Sequence, residues 1–273
     1  MWFTTDFFGA AGGKFDREVA HGRTIVDACK ASPYVRHVVY SSAIGAEDAP
    51  DAVEHLKSKL VIERYLAASG LAYTVVRPPA FYENFDAPEQ YNPLKKGYVS
   101  MLWDSEPRVP YVATRDIGRA SAAILANPAP YAGRVIDLVG AFATGAEVAA
   151  ALSVASGVHC RWTLGVPKLV QRLLMADLCA MSRFFEAGVK VDASAFRELV
   201  PQPVTLEEYF ASRGKWSNGE AFKPLPGGAA PPVPPPSSLG WPVLLLGAAV
   251  VAAAAVYAAP VAREGLRLLQ CRA

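Results

Sequence analysis

Three neighbouring pieces decide the fold: HVVYSS at residues 37–42, HLKSKLVIERYL at 55–66 and LAYTVVRPPAFYENF at 71–85. The first is an apolar, β-branched run ending in two serines, the pattern of a buried strand whose carboxyl end meets polar surroundings. The second repeats its apolar residues at helical spacing. At about 100° per residue, His55, Lys59, Ile62 and Leu66 share one arc, and Leu56, Leu60 and Ala67 another. The third is a second β-branched run, broken at Arg77-Pro78-Pro79 into an aromatic loop because proline cannot donate to a strand ladder. Strand, helix, strand in that order is a βαβ unit of a parallel sheet. Open sheets of this kind bind ligands beyond the carboxyl ends of their strands, where Ser42 and the loop at 81–84 fall.

Working outward, the same rhythm continues on both sides. Residues 18–29 make a helix with Val19, Ile25, Val26 and Ala28 on its apolar side, followed by a turn at Ser32-Pro33 and a strand at 37–40. A loop at 45–50 precedes a helix over 53–68, stopped by Ser69-Gly70, and a strand over 73–76. Further on, a helix over 116–126 takes Asp116 as its N-cap, and a strand follows at 135–139. Helices are predicted at 144–156, 167–185 and 206–212. The glycine cluster Gly9-Ala10-Ala11-Gly12-Gly13 reads as a flexible loop.

Composition narrows the function classes. At 273 residues there is room for one α/β domain and an appendage. A net charge of +2 with no basic run argues against nucleic acid as a partner. The four cysteines show no CxxC spacing, which speaks against a zinc site or a disulfide framework and suits a reducing compartment. His21 and His159 lack partners at ligand spacing, so no metal site is predicted. The first residues lack the basic start and apolar core of a secretory signal.

Beyond residue 215 the character changes. Residues 216–240 hold a Pro/Gly-rich linker, PLPGGAAPPVPPPSSLG in its second part, which cannot pack a core and reads as a semi-rigid spacer. Residues 241–262, WPVLLLGAAVVAAAAVYAAPVA, are uncharged and long enough to cross a hydrocarbon core of about 30 Å at about 1.5 Å per residue. Trp241 and Tyr257 sit near the ends of this run and Arg263 closes it. The expectation is a single-pass C-terminal transmembrane helix with a short basic tail at 263–273: a tail anchor in a lipid bilayer, with the soluble domain in the cytosol.

The strand-end serines, the HxxxK spacing of His55 and Lys59, VRPPAFYENF, VPYVATRDIG at 109–118 and VTLEEYF at 204–210 together resemble the NmrA-like, atypical branch of the short-chain dehydrogenase/reductase family. The resemblance covers about residues 2–213. It implies an α/β fold with a Rossmann-type parallel sheet: a partial NAD(P)-binding core at 1–140 and a small mixed, substrate-side region at 141–215. It also implies NADP(H) as the dinucleotide, NAD being the other choice. Lys59 would donate to the nicotinamide ribose, Phe81, Tyr82, Glu83 and Asn84 would lie beside the nicotinamide, and Thr5, Asp6 and Phe7 beside the adenosine side. By the same resemblance the first strands of the domain and their glycine-rich turn are missing ahead of Met1, as in an N-terminally truncated chain, leaving the sheet incomplete there.

Catalytic members of that superfamily use a Ser-Tyr-Lys set, and this chain places His55 where the tyrosine belongs, with Ser42 upstream. A histidine is chemically able to act as an acid near neutral pH, although a lysine one helical turn away opposes the imidazolium. In an NmrA-like context a histidine here accompanies loss of dehydrogenase activity. The leading expectation is therefore a regulatory or redox-sensing module with a protein partner or a homodimer. The alternatives are a reductase working through Lys59, His55 and Ser42, and a membrane-tethered scaffold that binds no nucleotide.

Overall fold

A computed structural model describes residues 1–86, 98–156 and 159–213. In chain order its elements are β1 (Trp2–Thr4), α1 (Phe15–Ala31), β2 (Val38–Ser41), α2 (Glu54–Ala68), β3 (Tyr73–Arg77), β4 (Ala80–Phe81), β5 (Tyr98–Met101) and β6 (Val109–Val112). Then come α3 (Thr114–Ala126), β7 (Val135–Asp137), β8 (Ala141–Ala143), α4 (Gly145–Ser156) and β9 (Arg161–Leu164). Four helices finish the described chain: α5 (Lys168–Leu174), α6 (Ala176–Glu186), α7 (Ser194–Leu199) and α8 (Leu206–Arg213).

The main sheet has the order β1-β2-β3-β7 and is parallel throughout, with Tyr40 of β2 in register with Phe3 and Val75. Every residue of β2 is buried, as expected of a strand covered by helices on both faces. Alternation along that strand separates two cores. Val38 and Tyr40 pack with Phe3, Val26, Ile62, Leu66 and Val75 beneath α1 and α2. Val39 faces the other way, toward Val76, Ile136, Leu138 and residues of α3 and α7 such as Ile124 and Phe196. Among the described residues nothing pairs with the outer edge of β1.

Helix α1 lies close against α2 because Gly22 has no side chain: a Cβ there would stand 2.5 Å from Ile62. This close approach buries Glu18 completely. It also differs from the apolar side read in the sequence, since Val19 and Val26 are buried but Ala28 is exposed.

Smaller sheets build the rest. Strand β4 pairs parallel with β6, β6 pairs antiparallel with β8, and β5 pairs parallel with β9. A third core joins Tyr82, Phe85, Trp103, Tyr111, Leu152 and Phe210. It draws on residues from both sides of position 140, because β6 and β8 are bonded to one another.

Two local readings are corrected. The helix expected over 167–185 is two helices, since Met175 adopts a non-helical backbone between α5 and α6. Asp116 is not the N-cap of α3. That helix starts at Thr114, and Asp116 is buried within its first turn, accepting from Arg119 Nη1 at 2.9 Å and from the Val204 N–H at 2.7 Å. Among the described residues no helix is long and apolar enough to cross a membrane. The linker, the apolar run at 241–262 and the basic tail lie outside the described residues.

Candidate functional site

The carboxyl end of β1 runs into Thr5, Asp6, Phe7 and Phe8, and the start of α2 lies against them. Lys59 reaches from α2 to this strand end. Its ammonium donates to Thr5 O at 2.9 Å, Thr5 Oγ1 at 3.2 Å and Glu18 Oε1 at 2.6 Å. An ammonium has three N–H groups, so all three are in use. Glu63 stands four residues after Lys59 on the same helix. In the fold Glu63 instead receives a bidentate contact from Arg77, Nε at 3.0 Å and Nη2 at 2.6 Å.

Glu18 is the residue that sequence reasoning missed. It sits in the first turn of α1 with no exposure, and its carboxylate accepts from Thr5 Oγ1 at 2.7 Å, from Lys59, and closely from Ser58 Oγ. The network continues to the Tyr40 hydroxyl, 3.1 Å from Thr5 Oγ1. Burial pushes the Tyr40 phenol far above its ordinary range, with Glu18 nearby adding to the effect, so the group stays protonated. An acid in the first turn of a helix normally reads as a surface charge facing the helix dipole, and no sequence signal marks this one as buried.

His55 stands one turn before Lys59. Its backbone N–H donates to Asp177 Oδ2 at 3.2 Å, and its Nδ1 makes a short contact with Asp177 Oδ1. Phe7 and Phe8 flank the imidazole, their ring centres 5.9 and 5.4 Å away. Asp177 too was invisible in the sequence, because it lies on α6.

Ser42, at the end of β2, is 5% exposed, and its Oγ has no hydrogen-bond partner. A buried hydroxyl without a partner carries a desolvation cost that a ligand's polar atom would relieve. This orphan and the strand-end ammonium fit the ribose and nicotinamide end of a dinucleotide. A ribose diol reaching Lys59 would displace its longest contact, to Thr5 Oγ1.

The other predicted residues each have their own surroundings. Phe81 is half-buried in β4, and Asn84 is exposed. Tyr82 is fully buried in the aromatic core against Tyr111 and Tyr209, so its ring serves packing. The Glu83 carboxylate caps α3, accepting the Thr114 N–H at 3.0 and 3.1 Å and its hydroxyl at 2.6 Å.

Asp6 is spent in the same way. Its carboxylate accepts the N–H groups of Gly9 and Ala10, and the first of these bonds leads in holding its pKa below the ordinary value. The N–H groups of Ala11, Gly12 and Gly13 go to Asp6 O, Gly9 O and Phe7 O. The glycine cluster read as a flexible loop is thus a closed turn, with Gly12 and Gly13 at positive φ. Every amide in it is taken, so it cannot cradle a phosphate as the glycine-rich turn of a dinucleotide fold does.

Comparison with known proteins places the chain among relatives of one fold. Residues of this chain are 33% identical over 138 positions to the NAD(P)H azoreductase of Xenophilus azovorans, covering 47% of this chain and 44% of that protein. They are 28% identical over 115 positions to Prestalk A differentiation protein A of Dictyostelium discoideum, covering 42% of this chain and 35% of that one. The chain thus matches less than half the length of these curated relatives. Among solved structures, NmrA, a negative transcriptional regulator in complex with NAD, superposes with a TM-score of 0.60 at 20% identity over 77% of this chain and 72% of its own. The NADPH-dependent quinone oxidoreductase of Escherichia coli complexed with NADPH gives 0.61 at 21% identity over 77% and 74%. At such identities the likeness establishes the fold alone. The family model described as the NmrA-like family matches residues 4–210, three-quarters of the sequence, and the chain belongs to that family.

Proposed function

We propose that this protein is an NADP(H)-binding regulatory or redox-sensing module of the NmrA-like family, tethered to a membrane through residues 241–262. The observation that carries the binding reading is Lys59, held at the carboxyl end of a parallel strand by Thr5 and a buried counter-charge. Lys59 would hold the nicotinamide ribose and Ser42 would meet a polar atom of the ligand. Phe7 and Phe8 would exclude water. The pyrophosphate then needs a cradle from outside the described residues, because the turn at 9–13 has no free amide. The intact mass of the protein isolated from its own cells tests whether N-terminal sequence supplies it.

The direct experiment is thermal unfolding of the full chain against NADPH and NADH. A binder gains about 2.7 kcal/mol at a hundred-fold excess over Kd. An unchanged midpoint at millimolar dinucleotide refutes binding and leaves the tethered scaffold. For the anchor, extraction of the protein by alkaline carbonate, or unchanged location after deletion of 241–273, overturns the tether.

A second reading has its own support. The azoreductase among the curated relatives and the carboxylate held against the His55 ring favour a reductase in which a bound, reduced nicotinamide would supply hydride. The chain's own contribution would be to place Lys59 on the ribose and His55 beside the substrate. NADPH oxidation that depends on a quinone or azo acceptor separates this reading from a sensor.

A further inference from the structure

His55 and Asp177 are 122 positions apart in the chain, yet one carboxylate of α6 holds both the backbone N–H and the imidazole Nδ1 at the start of α2. The two side chains are 10% and 21% exposed. Phe7 and Phe8 lie against the ring, and Nε2 has no hydrogen-bond partner among the described residues. One turn further along α2 stands Lys59, whose ammonium is already met by Glu18.

An ionised carboxylate has only acceptor sites. Nδ1 must therefore carry a hydrogen to pair with Asp177, and in the neutral ring the lone pair is then on Nε2. The backbone contact adds a constraint on rotation, because the carboxylate is fixed by a second bond to the same residue. We infer that Asp177 is the positioning residue of a proton-handling pair, in which it fixes the tautomer and rotation of His55 so that Nε2 faces the substrate. The inference rests on the reductase reading.

The step is a proton transfer and nothing more. The Nε2–H bond of the imidazolium breaks as a new O–H or N–H bond forms on a substrate atom that has become basic during reduction. The ring is left neutral with Nδ1–H still on Asp177, and a proton from solvent restores Nε2–H. Such an acceptor has a reducible C=O or N=N group. The aromatic walls of Phe7 and half-exposed Phe8 suit a planar one.

The test is the tautomer of His55 by ¹⁵N NMR, in full chain labelled at histidine and assigned with His55→Gln. The neutral wild-type ring should carry hydrogen on Nδ1. In Asp177→Asn the backbone N–H of His55 claims the amide oxygen, which turns the amide NH₂ toward Nδ1 and forces hydrogen onto Nε2. The tautomer should invert. Turnover of a quinone or azo acceptor should fall about 10²–10⁴-fold, on the scale of a comparable carboxylate-to-amide change in a catalytic triad, with NADPH affinity unchanged. A wild-type ring protonated at Nε2, the same tautomer in both proteins, or full turnover in Asp177→Asn overturns the pair. The wild-type spectrum alone decides if the variant does not fold. Absence of NADPH binding overturns the reductase reading itself, whatever the tautomer.

Discussion

Replacing Glu18 with glutamine removes one charge from the centre of the site while keeping its shape. Glu18 has no exposure and Lys59 only 12% in its side chain, so the ammonium left behind is neither hydrated nor neutralised. Removing one partner of such a buried pair costs about 3–5 kcal/mol, because the penalty is an uncompensated charge rather than a lost contact. Two hydroxyls have other outlets: Ser58 Oγ also reaches His55 O at 3.3 Å, and Thr5 Oγ1 lies 3.1 Å from the Tyr40 hydroxyl. The loss should therefore come chiefly from Lys59. The paired change Glu18→Leu with Lys59→Met removes both charges, and its cost should be far below the sum of the single changes. Urea unfolding of the four proteins, read as a double-mutant cycle, gives the coupling energy. A loss under about 1 kcal/mol for Glu18→Gln, or additive single and double changes, would refute the reasoning, since an exposed pair behaves that way. A dinucleotide bound at Lys59 adds a further expectation: Glu18→Gln should also weaken NADPH binding, because the lysine loses the group that aims it.

Other consequences are as concrete. Gly45 has φ +73° and a Cβ there would stand 2.5 Å from the Phe184 ring, so Gly45→Ala should cost about 2–4 kcal/mol in chemical denaturation; a near-neutral result would mean the loop at 45 is not held as described. Glu83→Ala should cost about 1 kcal/mol through the lost cap of α3, with dinucleotide affinity unchanged by titration; weaker binding at unchanged stability would return Glu83 to the site. His37 is held neutral chiefly by burial, so its pKa lies below 6.5. Its depressed folded pKa contributes stability above the unfolded value of about 6.5 that is lost as pH falls through the folded one. Unfolding free energy measured across that range should fall less steeply in His37→Gln, whose amide keeps the bond to Thr74, and an equal slope would discount the histidine.

The parts of this fold that were legible depend on neighbours in the chain. Strands β2 and β3 and helix α2 were found within a residue or two, because their apolar spacing shows in any short window. Strands β4 and β8 have two and three residues, too few to show a period. Strand β5 joins β9 across an interval of 63 positions, Tyr98 to Arg161, a pairing no local pattern encodes. The break at Met175 was hidden because the apolar spacing runs on through it.

In the site, the same division holds. The sequence alone put Lys59 and His55 one turn apart on a helix beside a strand end, since helical periodicity fixes which residues share a face. What each side chain meets there was decided by the tertiary structure. Lys59 has Glu63 at the helical spacing i+4, but Glu63 is drawn to Arg77 and Glu18 arrives from another helix, brought within reach by the absent side chain of Gly22. Asp177 reaches His55 only after the chain has passed, among the described residues, through three α-helices and seven strands to lay α6 against α2. A period along one chain constrains angles around one axis, and carries no information about which distant charge will be buried against it.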